Sequence, residues 1–277
     1  MISERAPVAT LALAELAPGL PPELGQPVAR FDSEHLPWDR FDSVGAVMSI
    51  GAHLLCGSLG YEIARRGGIR NWVVQHGLFT PLAPPLPPEA HLLAWSAADA
   101  EFATQLSPGQ IEADVVGSQL LWNAASDAGA PVRPSAAPLF LGQLHGLELG
   151  RRVTVRTVNR LAAEGQLVYR AHPAERDLLS RLQHRRWARR GIVLDADNRP
   201  LREVDRPVLG IFSTGLLEAA AAARPTWAAC VQPPAWVEEL WERYSIARHG
   251  DPRPTDPPEL PAKEPVAAIA DLVLGAR

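Results

Sequence analysis

The chain has 277 residues, 47% of them hydrophobic and 21% charged, with a formal net charge of −4. The apolar share excludes a wholly disordered chain. The slightly acidic total weighs against a dedicated nucleic-acid binder, which usually carries a strongly basic domain, though it leaves room for a local basic face. The length fits one large domain or two small ones, since single cores stop growing near ~250–300 residues.

Elements read in chain order alternate. Strands are expected at Val44–Ile50, Asn71–Gln75, His91–Trp95 and Ala113–Gly117. Between the first two, Leu55, Leu59 and Ile63 fall four apart and form one stripe of a helix, and Ala97–Leu106 also reads as helix. The stretch Asn123–Pro138 is rich in Ala, Pro, Ser and Gly and reads as a domain linker. The alternation then restarts with strand Leu139–Gly142, helix Arg151–Ala163, strand Gln166–Arg170, helix Ala174–Arg190 and strand Ile192–Asp195. Strand Val208–Phe212, helix Gly215–Ala223 and strand Thr226–Val231 follow. Helices near Ala235–Tyr244 and Pro265–Leu274 close the chain, either side of a proline-rich loop at Asp251–Pro265.

Continuous apolar strands separated by helices imply parallel sheets covered on both faces. The expected architecture is α/β: two Rossmann-like, doubly wound domains with a cleft between them, divided as residues 1–128 and 129–277. Cys56 and Cys230 lie in apolar surroundings, with no Cys/His cluster to suggest a zinc site, so two buried thiols in a reduced cytoplasmic protein are expected. Residues 1–19 lack a basic n-region and carry Glu4 and Glu15, unlike a signal peptide. No stretch approaches the ~20 apolar residues of a membrane span.

In doubly wound sheets, ligands sit at the carboxyl ends of the strands, and the unusual polar residues fall there. One strand ends in Gln75–His76–Gly77, another in Gln143–Leu144–His145–Gly146, and a third in Arg170–Ala171–His172–Pro173. A fourth ends in Ser213–Thr214–Gly215 and passes straight into a helix carrying Glu218. A hydroxyl pair and a glycine at a helix start suit an anion, and are also an ordinary cap. Arg170 and His172 lie two apart, so on an extended strand both face one side and could meet one phosphate. The alternative is that Arg170 meets a surface carboxylate.

The order Q-H-G, then R-x-H-P, then S-T-G-L-L-E-A-A-x-A-x-R-P resembles the GT-B glycosyltransferase superfamily over roughly Val44 to Val231. The nearest resemblance is to capsule and wall-polymer enzymes, the Kdo and sialic-acid transferases and the CDP-glycerol glycerophosphotransferases. The resemblance implies a cytoplasmic transferase that moves a glycosyl or glycerol-phosphate group from a nucleotide-activated donor, its co-substrate, to a glycan or small-molecule acceptor. It implies His172 and His76 as catalytic groups, the first on the departing phosphate and the second as base near the acceptor. Arg170, Ser213, Thr214, Gly215, Glu218, Gln143 and His145 would bind the donor, without a cofactor or metal. The acidic base of sialyltransferase relatives has no evident match; Asp39, Asp42 and Glu62 are candidates. A nucleotide-sugar epimerase or hydrolase on the same fold, or an inactive nucleotide- or RNA-binding protein, is the alternative.

Three further features stand outside that pattern. His53 follows the first strand and could line the cleft, or cap a helix. Asp195–Ala196–Asp197 reads as turn chemistry rather than a metal motif. In the arginine-rich run Arg181–Arg190, Leu178, Leu179, Leu182 and Trp187 are expected to form one apolar face with the arginines outside. A solvated face is one reading of it and peripheral contact with an anionic membrane another; nucleic acid is not favoured.

Overall fold

The structure, a computed structural model, describes residues 37–126, 131–133, 136–144, 146, 148–197 and 199–275. They fall into two compact units. One gathers the described residues up to His76, Ala83–Ser118 and those from Pro261 onward; the other gathers Gly77–Leu82 and Gln119–Leu260.

In the first unit a 3₁₀ turn at Trp38–Phe41 precedes β1 (Ala46–Ser49), α1 (Leu55–Gly67), β2 (Arg70–Val74), β3 (Ala90–Ala94), α2 (Ala97–Leu106) and β4 (Glu112–Val115). All pairings are parallel, in the order β1-β2-β3-β4. Every residue of β3 is buried, as a strand covered on both faces requires. The sheet therefore runs in chain order. Among the described residues it lacks the reversal of a doubly wound sheet, which corrects the expectation for this half.

The second unit begins one helix earlier than its composition suggests. Residues Gln119–Ser126 form α3, where the proline- and alanine-rich linker was expected to begin at Asn123, and α3 packs on a later helix of the same unit. Then follow β5 (Leu139–Leu141), α4 (Arg151–Glu164), β6 (Val168–Arg170), α5 (Leu178–Arg189), β7 (Val193–Leu194), β8 (Val208–Gly210), α6 (Thr214–Ala221), β9 (Thr226–Ala228) and α7 (Ala235–Arg243). The sheet is parallel throughout, in the order β7-β6-β5-β8-β9. The chain winds outward from β5 to β7, then returns to the other side of β5 with β8. This half is doubly wound, with its switch point between β5 and β8. Its core stacks Phe140, Tyr169 and Trp187, all fully buried, with ring centroids 5.9 Å and 4.6 Å apart.

The closing helix α8 (Pro265–Gly275) belongs with the first sheet, although sequence order puts it in the second half. Its Ile269 is buried against Trp72, Leu93 and Val116. Cys56 and Cys230 are free thiols, half-buried where buried ones are expected, and burial pushes the Cys230 thiol up to about 11. Among the described residues no helix is long and apolar enough to cross a membrane.

Candidate functional site

At the carboxyl end of the second sheet three loops run side by side, following β6, β5 and β8. Backbone-to-side-chain hydrogen bonds lace them together. The buried Gln143 amide oxygen accepts from Phe212 N at 3.1 Å, joining the loops that flank the switch point. Glu175 joins the other pair. Its carboxylate accepts from Leu144 N at 2.8 Å and His172 N at 3.1 Å, from the Tyr169 hydroxyl at 3.0 Å, and from His184 Nε2 at 2.8 Å.

Glu175 is the loop-joining residue that the motif reading passed over. Its side chain is wholly buried, and burial opposes its ionisation more than any single contact favours it. The hydrogen bonds from His184, Leu144, His172 and Tyr169 together outweigh that effect and hold its pKa below the ordinary value. Burial, and then the Glu175 charge, drive the Tyr169 hydroxyl far above the usual phenol range, so it stays a donor. A signal was present in the sequence: a carboxylate three residues past His172, beyond a proline, where a turn brings it back to the His172 N–H. That turn also explains why the helix does not start at Ala174. Glu175 N donates to His172 O at 2.9 Å, and α5 begins only where Asp177 caps the N–H groups of Leu179 and Ser180.

Gly142 fits this arrangement because nothing larger would. A Cβ there would meet the Tyr169 hydroxyl and ring, and would lie 2.7 Å from Glu175 Oε1. Gly142→Ala is expected to cost about 1–3 kcal/mol by overpacking, measurable as a lowered midpoint of chemical unfolding; an unchanged midpoint would contradict the packing described.

The candidate donor residues divide. Ser213 caps α6, its hydroxyl accepting from Gly215 N at 3.2 Å. Thr214 Oγ1 accepts from Leu78 N at 3.2 Å, within the Gly77–Leu82 segment that belongs to this unit. Gly215 permits α6 to approach β5, since a Cβ would lie 2.6 Å from Leu141 Cδ1. Glu218 is half-buried one turn into α6, and its side chain has no hydrogen-bond partner among the described residues; burial raises its pKa, which Arg170 and Arg202 partly offset. His172 is exposed, and its Nδ1 accepts from Ala174 N at 3.1 Å, which puts the proton of the neutral ring on Nε2.

Arg170 corrects the expectation that it and His172 face one phosphate. The strand ends at Arg170, so two-residue alternation does not extend to His172. Arg170 Nε donates to Asp195 Oδ2 at 2.5 Å and its Nη1 to Arg199 O at 2.8 Å. The carboxylate partner is the one weighed against the phosphate role. Asp195 also accepts from Asp197 N at 3.3 Å, so this D-x-D is turn chemistry. His145 lies outside the described residues.

In the first unit, the Gln75 amide oxygen accepts from Trp95 N at 2.8 Å, tying β2 to β3 at their carboxyl ends. His76 follows, exposed, with its pKa lowered by partial enclosure and then by the nearby His53. His53 does not cap α1, whose N-cap is Leu54 with no side-chain bond. Glu62, a candidate base, is forked between Arg65 and Arg66, which hold its pKa down to about 2. Among the described residues no group of three or more His, Cys, Asp or Glu side chains is arranged to hold a metal ion.

No protein-family model matches the sequence, and no curated protein matches it. Among solved structures, the chain is similar to the pneumococcal O-GlcNAc transferase GtfA, crystallised with UDP and GlcNAc. The TM-score is 0.42 and the identity 10%, over 87% of this chain and 53% of that one, so the chain spans about half the length of its solved neighbour.

Proposed function

We propose that the chain is a transferase that uses a nucleotide-activated donor, in keeping with the GT-B resemblance of its motifs. The observation that carries this reading is the lacing of three strand-end loops at the switch point of the second sheet, the place where such sheets bind ligands. Donor phosphates would lie at the start of α6, where the helix dipole favours negative charge. Glu218, whose side chain has no hydrogen-bond partner among the described residues, would take a donor hydroxyl, and His172 Nε2–H would face the departing phosphate. In transfer, an acceptor hydroxyl attacks the activated carbon or phosphorus, the bond to the nucleotide phosphate breaks, and the imidazole supplies a proton or hydrogen bond to the leaving oxygen. His76 is our proposed base; partial enclosure and the nearby His53 lower its pKa, which favours the neutral imidazole. CMP-, CDP- and UDP-activated sugars or glycerol are the donors in view, with a glycan or small-molecule acceptor.

Thermal unfolding with CMP, CDP, UDP and GDP tests the reading. One of these nucleotides, at about a hundredfold excess over its Kd, should stabilise the protein by about 2.7 kcal/mol. Thr214→Val with Glu218→Gln should reduce that gain. If no nucleotide raises the midpoint, the proposal fails.

A further inference from the structure

Helix α5 is turned the other way from its sequence expectation. Its buried side is Ser180, His184 and Trp187, and Trp187 Nε1 donates to Asn159 Oδ1 of α4 at 3.0 Å. The three leucines read as core are outside: Leu178 is 64%, Leu179 63% and Leu182 39% exposed. At 3.6 residues per turn, Leu178, Leu182, Arg185 and Arg189 fall along one line of the helix. Leu179 and Arg186 flank it on one side and Arg181 on the other. The outer face is therefore apolar toward its N-terminal end and cationic toward its C-terminal end.

The charge on this face is uncompensated. Among the described residues, Arg176, Arg181, Arg185, Arg186, Arg189 and Arg190 form no ion pair, while most other arginines of the unit do. The neighbouring exposed acid, Asp177, is held by Arg151 and Ser180. A chain of net charge −4 thus concentrates positive charge along one helix, beside Leu178 and Leu179, which are largely exposed, and the partly exposed Leu182.

We propose that the outer face of α5 docks on an anionic phospholipid surface. Leucines entering the headgroup–acyl boundary, with guanidinium groups on the phosphates above them, are what an interfacial helix presents. A nucleic acid would match the arginines but leave the leucines in water, so the leucines decide between the two. The inference does not depend on the transferase reading.

Sedimentation of the full chain with vesicles tests it. The protein should pellet with equimolar phosphatidylglycerol and phosphatidylcholine, and at least about tenfold more weakly with phosphatidylcholine alone, the anionic surface adding about fivefold per arginine. Leu178→Ser with Leu179→Ser should weaken the anionic-vesicle partition by about tenfold or more. Arg185→Gln with Arg189→Gln should weaken it by about 25-fold. All four positions are exposed, and circular dichroism checks that the fold persists. The proposal is overturned by absent binding to the anionic vesicles, by equal binding to both vesicle types, or by leucine variants that bind undiminished. It is equally overturned if the wild-type chain binds a single-stranded RNA but not the anionic vesicles, or if light scattering shows a dimer that the leucine replacements dissolve.

Discussion

Replacing Glu175 with alanine is expected to destabilise the second unit by about 3–5 kcal/mol, because it leaves several buried donors without their acceptor. The loss strands several groups together. Leu144 N–H, the Tyr169 hydroxyl and His184 Nε2 would each lose a bond of 2.8–3.0 Å in a site closed to water. A buried donor left unmade costs about 1–3 kcal/mol. His172 N–H loses its bond as well, at a more exposed position where water can replace it. Guanidinium unfolding followed by tryptophan fluorescence reads the effect, since Trp187 packs on Tyr169. A loss under about 1 kcal/mol would mean that the network contributes little.

Glu175→Gln separates charge from shape. The folded-state pKa of Glu175 lies below its ordinary value, so the folded protein binds fewer protons here than the unfolded chain. The contribution is complete above the ordinary glutamate pKa of ~4.3 and fades as pH falls through the lower folded value. Wild type should therefore lose stability in acid more steeply than Glu175→Gln. Parallel curves for the two proteins would refute the assignment.

The second large effect concerns activity. His172→Ala and His172→Asn are both expected to lower transfer by about 10²–10⁴-fold, the range for a positioned proton donor. Asparagine retains an oxygen near Nδ1 to accept from Ala174 N, so that variant should unfold at the wild-type midpoint. His172 is exposed, and even alanine should cost less than about 1 kcal/mol, because water can satisfy the freed amide. Unchanged turnover in the asparagine variant would remove His172 from the mechanism. Lost turnover with lost stability would instead mark His172 as a structural part of the Glu175 network.

Much of this was legible in the residues. Short apolar runs such as Leu139–Leu141 and Val208–Gly210 have no face to show water, so their local composition alone makes them buried parallel strands. Ser213 and Gly215 announce a helix start for equally local reasons, a cap and a close approach. The loops following β6 and β8 place His172 and Ser213 at the carboxyl end of a sheet, where such sheets bind ligands, as soon as the strands are recognised.

What sequence could not settle were questions of partnership, which depend on residues far apart in the chain. Arg170 reads as a phosphate ligand until Asp195, twenty-five residues on, takes its guanidinium. Leu178, Leu179 and Leu182 obey a helical period that predicts burial, yet the sheet edge has room for only one side of α5, and Trp187, His184 and Ser180 fill it. The first sheet's unreversed strand order and the attachment of α8 to it lie equally beyond local pattern, because hydrophobic periodicity states that a face is buried and not against what. By itself the sequence determined a pair of parallel α/β sheets and the polar loops at their strand ends, since both follow from local propensity and burial. Only the tertiary structure decided that Glu175 ties two of those loops together and that α5 turns leucine and arginine outward. Those choices rest on competition among distant groups for the same space and the same hydrogen bonds.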